Sequence, residues 1–120
     1  MLQINSKTMN DVAIFELNGR FDTYTANKLR QLLEPATSQP PAQILVDLAG
    51  VNFVDSTALA VLVQGMKHSR QQGGDVRLSG LGQQVRIIFE LTRLDQAFEI
   101  YPKARAAIAS FNDSKETAPL

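Results

Sequence analysis

The sequence contains no cysteine and only one histidine, His68. The absence of cysteine excludes disulfide bonds, thiolate nucleophiles and cysteine-ligated zinc sites. A single histidine cannot form a metal cluster by itself. We therefore expect that the protein uses neither a metal ion nor another cofactor.

The chain also has no excess of charge, because 12 Lys and Arg residues balance 12 Asp and Glu residues. No net field would attract it to nucleic acid or to an anionic membrane. The longest apolar run, Ala58 to Val63, is far shorter than the roughly 20 residues of a membrane-spanning helix. The first residues lack the basic and apolar stretches of a secretory signal. These features predict a cytoplasmic protein without direct membrane insertion and without a nucleic-acid partner.

Apolar residues are plentiful enough for one ordinary hydrophobic core, since they make up 44% of the 120 residues. No internal repeat and no linker divides the chain. We therefore predict a single domain over residues 1–111. The segment after Phe111 is polar and predicts a loose C-terminal tail over residues 112–120.

Segments with the pattern of strands alternate along the chain with segments that have the pattern of helices. Candidate strands are Leu2 to Lys7, Val12 to Leu17, Ile44 to Leu48, Val76 to Leu78 and Phe98 to Ile100. Candidate helices run from Thr25 towards Pro40, from Ser56 to about Gln72, around Val85 to Thr92, and from Lys103 to Ser110. Asn18-Gly19 predicts a turn or a bulge. The alternation indicates an α/β fold with a mostly parallel central sheet of four to five strands and four helices packed on it.

The segment from Gly50 to Leu59 leaves the predicted central strand and enters the second helix, where open α/β sheets tend to place their sites. Either Asp55 or Ser56 can cap this helix and stabilise it by about 1 kcal/mol. A hydroxyl at a helix start is also exposed enough to be phosphorylated. Phosphorylation of Ser56 would add about −1.5 to −2 charge to a neutral spot, and the helix dipole would tolerate it.

A helical wheel separates the second helix into two faces. Its core side is predicted to carry Leu59, Leu62, Val63 and Met66. The opposite side is predicted to carry Thr57, Ala60, Val61, Gln64 and His68. Two apolar residues thus occur where a solvated helix favours charge. They are either ordinary exposed apolar residues or part of a small docking patch with Ser56 at its edge.

The segment around Ser56 resembles the signature of the STAS domain family, in particular its stand-alone anti-sigma-factor antagonists. The resemblance runs from about residue 3 to residue 110. Its strongest parts are Gly19-Arg20-Phe21-Asp22-Thr23-Tyr24-Thr25-Ala26, Leu45-Val46-Asp47-Leu48 and Asp55-Ser56-Thr57-Ala58-Leu59. It continues through Gly73-Gly74-Asp75-Val76-Arg77-Leu78 and Phe89-Glu90-Leu91-Thr92-Arg93-Leu94-Asp95. A STAS fold is therefore expected.

The resemblance also implies a partner-switching function. In that family, the serine after the aspartate at the start of the second helix is phosphorylated by a cognate anti-sigma factor, a serine kinase of the histidine-kinase-like ATPase fold. This position is Ser56 here, with Thr57 as the alternative. The unphosphorylated antagonist binds the anti-sigma factor and frees the sigma factor. Phosphorylation breaks that complex, and a PP2C-type phosphatase restores it.

By the same resemblance, Asp22 would lie near the phosphorylated residue and help to shape the docking surface. The wheel and the resemblance together predict a partner-binding set of Asp22, Thr23, Asp55, Ser56, Thr57, Ala60, Val61 and Gln64. One position departs from the family pattern, which usually has glycine where this chain has Ala58. The extra methyl group is expected to narrow the access of a kinase.

Other functions compete with this interpretation. An enzyme is disfavoured because His68 lies about three turns from Ser56 along the same helix, so the serine has no evident basic partner. Gly80-Leu81-Gly82-Gln83-Gln84-Val85 matches a dinucleotide fingerprint only in part, and an ordinary glycine turn explains it. STAS domains also serve in membrane transport complexes, including lipid-transport ABC systems, and in other phospho-signalling assemblies. That use is the alternative function.

Overall fold

A computed structural model describes the backbone of residues 1–116 and the side chains of residues 1–112. Within this part of the chain, the strands are β1 (Leu2–Met9), β2 (Val12–Phe21), β3 (Gln43–Val54), β4 (Asp75–Ser79) and β5 (Ile100–Tyr101). The α-helices are α1 (Ala26–Thr37), α2 (Ser56–Gln71), α3 (Gln83–Leu91) and α4 (Ala104–Glu116), and a short 3-10 helix spans Leu94–Gln96. The order of elements confirms the predicted α/β class.

The described strands form one sheet in the order β1-β2-β3-β4-β5. β1 and β2 pair antiparallel, and the other neighbours pair parallel. The mostly parallel sheet with four helices packed on it is therefore confirmed. β3 lies in the centre of the sheet, which explains the continuous apolar run in its first half.

The chain does not turn at Asn18-Gly19, because β2 continues to Phe21. Its pairing with β3 instead shifts register after Glu16 and again after Gly19, so the predicted turn or bulge is a bulge. Gly19 has a φ of +116°, and a Cβ atom there would collide with the backbone carbonyl of Met1. Only glycine fits this close approach without strain.

The sheet separates two hydrophobic cores. The larger core lies between the sheet and the helices α1, α2 and α3, and alternate residues of β3, Ile44, Val46 and Leu48, point into it. Leu45 points to the other face, where it packs with Ile108 and other residues of α4. This alternation follows from the two-residue period of a strand. Since α1 and α2 both contribute to the larger core, they lie on the same face of the sheet.

Several elements are longer than the sequence predicted, and the two largest extensions are in β3 and α4. β3 continues through Gly50 to Val54, and α4 continues to Glu116 rather than ending at Ser110. Residues 112–116, predicted to belong to a loose tail, are therefore helical, while residues 117–120 lie outside the described residues. Phe111 packs in the smaller core and holds α4 to the sheet beyond the predicted helix end. The domain boundary itself stays a prediction.

No helix among the described residues is both long enough and apolar enough to cross a membrane.

Candidate functional site at the start of the second helix

Two loops meet at the carboxyl ends of neighbouring parallel strands. Val54, the last residue of β3, pairs with Phe21, the last residue of β2. Asp55 then leads into α2, while residues 22–25 lead from β2 into α1. Because both loops leave the same edge of the sheet, the start of α2 and the loop before α1 come into contact.

Asp55 is the residue that joins the two loops. Its Oδ1 accepts a hydrogen bond from the backbone N–H of Ala58 at 3.0 Å, which makes it the N-cap of α2. Its Oδ2 accepts from the backbone N–H and from the hydroxyl of Thr23, at 2.8 Å and 2.9 Å. The cap that the sequence assigned to either Asp55 or Ser56 is therefore Asp55.

The hydrogen bonds keep Asp55 ionised. Partial burial by itself raises the pKa of this carboxyl group. The N–H groups of Ala58, Thr23 and Thr57 and the hydroxyl of Thr23 outweigh burial and hold the pKa below its usual value of 3.8. The carboxylate charge of Asp55 also lies at the N-terminus of α2, which is the positive end of the helix dipole. Asp55 is thus a fixed negative charge next to the proposed phosphorylation site.

Ser56 is the first residue of α2 and is exposed. Its Oγ makes no hydrogen bond to any residue within 1–112. The hydroxyl is thus accessible and uncommitted, and α2 does not need it as a cap. These are the properties that a modification site requires.

Thr57 is also exposed, but its hydroxyl has a partner. Its Oγ1 lies 3.2 Å from Oγ1 of Thr23. Thr23 already donates its only hydroxyl proton to Asp55, so Thr57 is the donor in this pair. The two candidate hydroxyls therefore differ, because modification of Thr57 would break an existing hydrogen bond.

Asp22 organises the loop before α1. It accepts hydrogen bonds from the backbone N–H of Tyr24 at 3.0 Å and from the hydroxyl of Thr25 at 3.1 Å. The Nε of Arg20 lies 3.4 Å from Oδ2 of Asp22. Desolvation raises the pKa of Asp22. The hydrogen bonds from Thr25 and Tyr24 and the nearby Arg20 together lower it by more, so the pKa lies below its usual value. Asp22 is adjacent in sequence to Thr23, the residue that contacts Asp55.

The predicted exposed face of α2 is only partly exposed. Ala60 and Gln64 are exposed, but Val61 is 8% exposed and belongs to the larger core. Val63, assigned to the core side, is only partly buried. The wheel was wrong here because α1 packs against the side of α2 that it assigned to solvent. A wheel gives the direction of a side chain but not its neighbours.

Five members of the predicted partner-binding set nevertheless lie together. A hollow of about 240 Å³ between α1 and α2 is lined by Thr23, Thr57, Ala60, Val61 and Gln64, with Ala26, Asn27 and Arg30 of α1. A second hollow of about 270 Å³ continues along the same two helices towards Thr37 and His68. Val61 thus contributes to the floor of a groove rather than to an exposed patch.

Ala58 does not narrow the access to Ser56. Its side chain is 0% exposed and packs in the larger core. The expectation that its methyl group would hinder a kinase is wrong, because the methyl group points away from the exposed side of the helix start. Alanine here fills core space that glycine would leave empty and also favours the helix.

His68 and the glycine turn do not contribute to this site. The Nδ1 of His68 lies 3.0 Å from the hydroxyl of Thr37, at the far end of the α1–α2 groove. No group of His, Asp or Glu residues in the described part of the chain is placed to hold a metal ion. Gly80 has a φ of +73°, and Gly82 precedes α3 as its N-cap, as in an ordinary turn into a helix.

Tyr24 belongs to one of the quoted motif segments but not to the predicted partner-binding set, and its side chain is 92% exposed. The apolar stripe of α1 runs through Ala26, Leu29 and Leu33, and position 24 does not continue it. That mismatch was the available signal that the ring does not face the core.

Comparison with known proteins decides the family. The family model for the STAS domain matches residues 3–107. The chain belongs to the STAS domain family. The anti-sigma-B factor antagonist of Listeria monocytogenes is 32% identical to this STAS domain over 99 residues, which are 82% of this chain and 86% of that protein. The corresponding antagonist of Bacillus subtilis is 31% identical, over 82% of this chain and 89% of its own.

A solved structure shows the same STAS fold. The crystal structure of an anti-sigma factor antagonist from Mycobacterium paratuberculosis superposes with a TM-score of 0.83 at 24% sequence identity. The match covers 92% of this chain and 93% of that one. The fold expected from the sequence resemblance is confirmed, with its sheet and four helices.

Proposed function

We propose that this STAS domain is an anti-sigma-factor antagonist whose complex with an anti-sigma factor is ended by phosphorylation of Ser56. The anti-sigma factor in this proposal is a serine kinase of the histidine-kinase-like ATPase fold, and both act in the cytoplasm. The names of the bacterial relatives support the antagonist role. The observation that carries the proposal is the free, exposed hydroxyl at the first residue of α2.

The geometry favours Ser56 over Thr57 as the modified residue. The hydroxyl of Thr57 donates to Thr23, and Thr23 holds Asp55, so modification of Thr57 would disturb the contact between the two loops. Modification of Ser56 breaks no hydrogen bond of the described residues. The cap made by Asp55 stays in place, so the helix start would be preserved.

The transfer is a phosphoryl transfer from ATP to a hydroxyl group. A bond forms between Oγ of Ser56 and the γ-phosphorus of ATP, and the bond between that phosphorus and the bridging oxygen of ADP breaks. The hydroxyl proton passes to a base of the kinase. No basic side chain in residues 1–112 is hydrogen-bonded to Ser56, which supports a substrate rather than a catalytic role for this chain.

The added phosphate would change the charge of the docking surface. It brings about −1.5 to −2 charge beside Asp55 and Asp22, whose lowered pKa values keep both ionised at neutral pH. A partner that docks on the neutral hydroxyl would have to desolvate this cluster of negative charge. The complex would therefore dissociate, and a PP2C-type phosphatase would restore the binding form by hydrolysing the phosphate ester.

Intact-mass analysis after incubation with candidate kinases and ATP tests the proposal. We expect a gain of one phosphate on the wild type and on Thr57→Val, and no gain on Ser56→Ala. Urea unfolding should show Ser56→Ala as stable as the wild type, because its hydroxyl makes no hydrogen bond to any residue within 1–112. An undiminished mass gain on Ser56→Ala would refute the assignment.

A pull-down with the unmodified protein separates this function from the transport alternative. Recovery of a kinase-like ATPase, lost when Ser56→Asp is used as bait, is the expected result. Recovery of an ABC ATPase instead would favour a role as a subunit of a membrane transport complex.

A further inference from the structure

Tyr24 is an aromatic residue that the fold leaves without a partner inside the protein. Its side chain is 92% exposed, and its hydroxyl makes no hydrogen bond to any residue that the structure describes with its side chain. Burying an aromatic ring releases water from a large apolar area, so full exposure gives up a stabilising contribution. The fold therefore does not use this ring for its own stability.

The backbone below Tyr24 is nevertheless firmly held. Its N–H donates to Asp22 at 3.0 Å, and the backbone N–H of Asp22 donates to the hydroxyl of Thr25 at 2.9 Å. On the other side, Thr23 binds Asp55 through both its N–H and its hydroxyl. The ring thus projects from a rigid loop that is tied to the helix start carrying Ser56.

Three other exposed apolar side chains, Phe53, Ile87 and Leu91, lack this combination of features. The ring of Phe53 is 37% exposed, but the guanidinium group of Arg20 covers it at 4.0 Å. Ile87 and Leu91 are exposed on α3 and have no hydrogen-bonded connection to the Ser56 region. Tyr24 is uncovered, rigidly mounted and attached to Asp55 through its neighbour in the chain.

Rigid exposed aromatic side chains are typical energetic anchors of protein interfaces. They offer a large contact area and lose little conformational freedom on binding, because only two side-chain torsions have to be fixed. A preorganised loop reduces the cost further, since no backbone has to be ordered in the complex. The position of Tyr24 is continuous with the surface proposed to bind the kinase.

We propose that Tyr24 is the apolar anchor of the complex and that the anti-sigma factor which phosphorylates Ser56 carries an apolar pocket for its ring. This inference rests on the proposed function. In the complex, the ring enters the pocket while the loop holds Ser56 at a fixed position beside it. Tyr24 is a binding residue and takes no part in the transfer of the phosphoryl group.

The test uses the kinase that adds phosphate to Ser56 in the mass experiment. Its affinity for unphosphorylated wild type, Tyr24→Ala, Tyr24→Phe and Leu91→Ala is measured by calorimetric titration with ADP present. We expect Tyr24→Ala to bind at least 30-fold more weakly, or about 2 kcal/mol at 1.4 kcal/mol per tenfold. Tyr24→Phe should stay within threefold, because it keeps the ring. Leu91 is 76% exposed and serves as the matched control, so Leu91→Ala should bind like the wild type.

Kinetics distinguish an anchor from a residue that merely shapes the loop. Tyr24→Ala should raise the KM for phosphorylation of Ser56 and leave kcat unchanged, since saturating antagonist restores the productive complex. Its urea midpoint should equal that of the wild type, because the side chain is 92% exposed and so adds little to the stability of the fold.

The outcomes separate this inference from the function on which it rests. If the wild type gains phosphate and Tyr24→Ala binds within threefold of it, the anchor is refuted and the phosphorylation site stands. An equal loss of affinity in Leu91→Ala also refutes the anchor, because exposed apolar area in general would then drive binding. If no kinase modifies the wild type, the proposed function and the anchor fall together.

Discussion

Replacing Asp55 with alanine tests whether this carboxylate both caps α2 and joins the two loops. The substitution leaves the N–H of Ala58 without its acceptor and removes both hydrogen bonds from Thr23. The cap contributes about 1 kcal/mol to the free energy of unfolding. Each bond from Thr23 contributes a net value of about 0.5 to 1 kcal/mol, because water replaces part of it at this exposed position. Asp55→Ala should therefore lower the free energy of unfolding by about 2 to 3 kcal/mol.

Asp55→Asn makes the prediction more specific. An asparagine side chain has one acceptor oxygen, so it can accept either from Ala58 or from Thr23 but not from both sides. We expect it to lower the free energy of unfolding by only about 1 to 1.5 kcal/mol, since one of the two contacts is retained. A ranking of wild type, Asn and Ala in falling order of stability is thus the signature of a carboxylate with two structural roles.

Urea unfolding followed by far-UV circular dichroism measures these differences, because the free energy falls linearly with urea concentration. Glu34→Ala on the exposed side of α1 is the control, since no hydrogen bond to its side chain is found in residues 1–112, and it should stay within about 0.5 kcal/mol of the wild type. Equal stability of wild type and Asp55→Asn, or of Asn and Ala, would refute the reasoning.

The stability difference between wild type and Asp55→Ala should also depend on pH. The folded-state pKa of Asp55 lies below its usual value of 3.8, so its contribution is fully present above that pH. The contribution is lost as pH falls through the folded-state pKa. The stability difference between wild type and Asp55→Ala should therefore be constant near neutral pH and shrink only below about pH 4. A difference that shrinks between pH 7 and pH 5 would contradict this assignment.

Two further substitutions test contacts at the start of β4. Gly74→Ala should destabilise the protein by about 3 kcal/mol, because its Cβ would collide with backbone carbonyl groups before β3. Gly82→Ala is the control. Its Cβ would meet nothing within 4 Å, so only the poorer N-cap of α3 should count, at no more than about 1 kcal/mol. Thermal unfolding compares the two variants. Asp75→Ala should cost about 2 kcal/mol in urea unfolding, because the Nε atoms of Arg70 and Arg77, 2.9 and 3.1 Å from the carboxylate, lose their acceptor. No loss of stability in Asp75→Ala would show that these two ion pairs do not stabilise the fold.

Several features of the fold were accessible from local pattern. The apolar run of Ile44 to Leu48 predicted a central strand, and Gly73-Gly74 predicted the end of α2. Such signals depend on residues close in sequence, so no knowledge of neighbours in space is needed. The STAS fold followed from the motif resemblance. That prediction did not depend on knowing that β1 and β2 pair antiparallel.

Other features depend on contacts that no local pattern contains. Val61 looked solvated on a wheel, but α1 covers it. The end of α4 lies beyond the predicted boundary because Phe111 finds a place in the smaller core. The choice of Asp55 over Ser56 as cap reflects the additional donors of Thr23, which lies 32 residues earlier in the chain.

By itself, the sequence determined that Ser56 stands at a helix start after a central strand, because both signals are local. Only the tertiary structure decided that its hydroxyl is free while that of Thr57 is engaged. It also decided that Ala58 points into the core and that Tyr24 stands alone at the surface. The physical reason is the same in each case. The state of a side chain depends on the donors, acceptors and apolar surfaces that folding brings to it from distant parts of the chain.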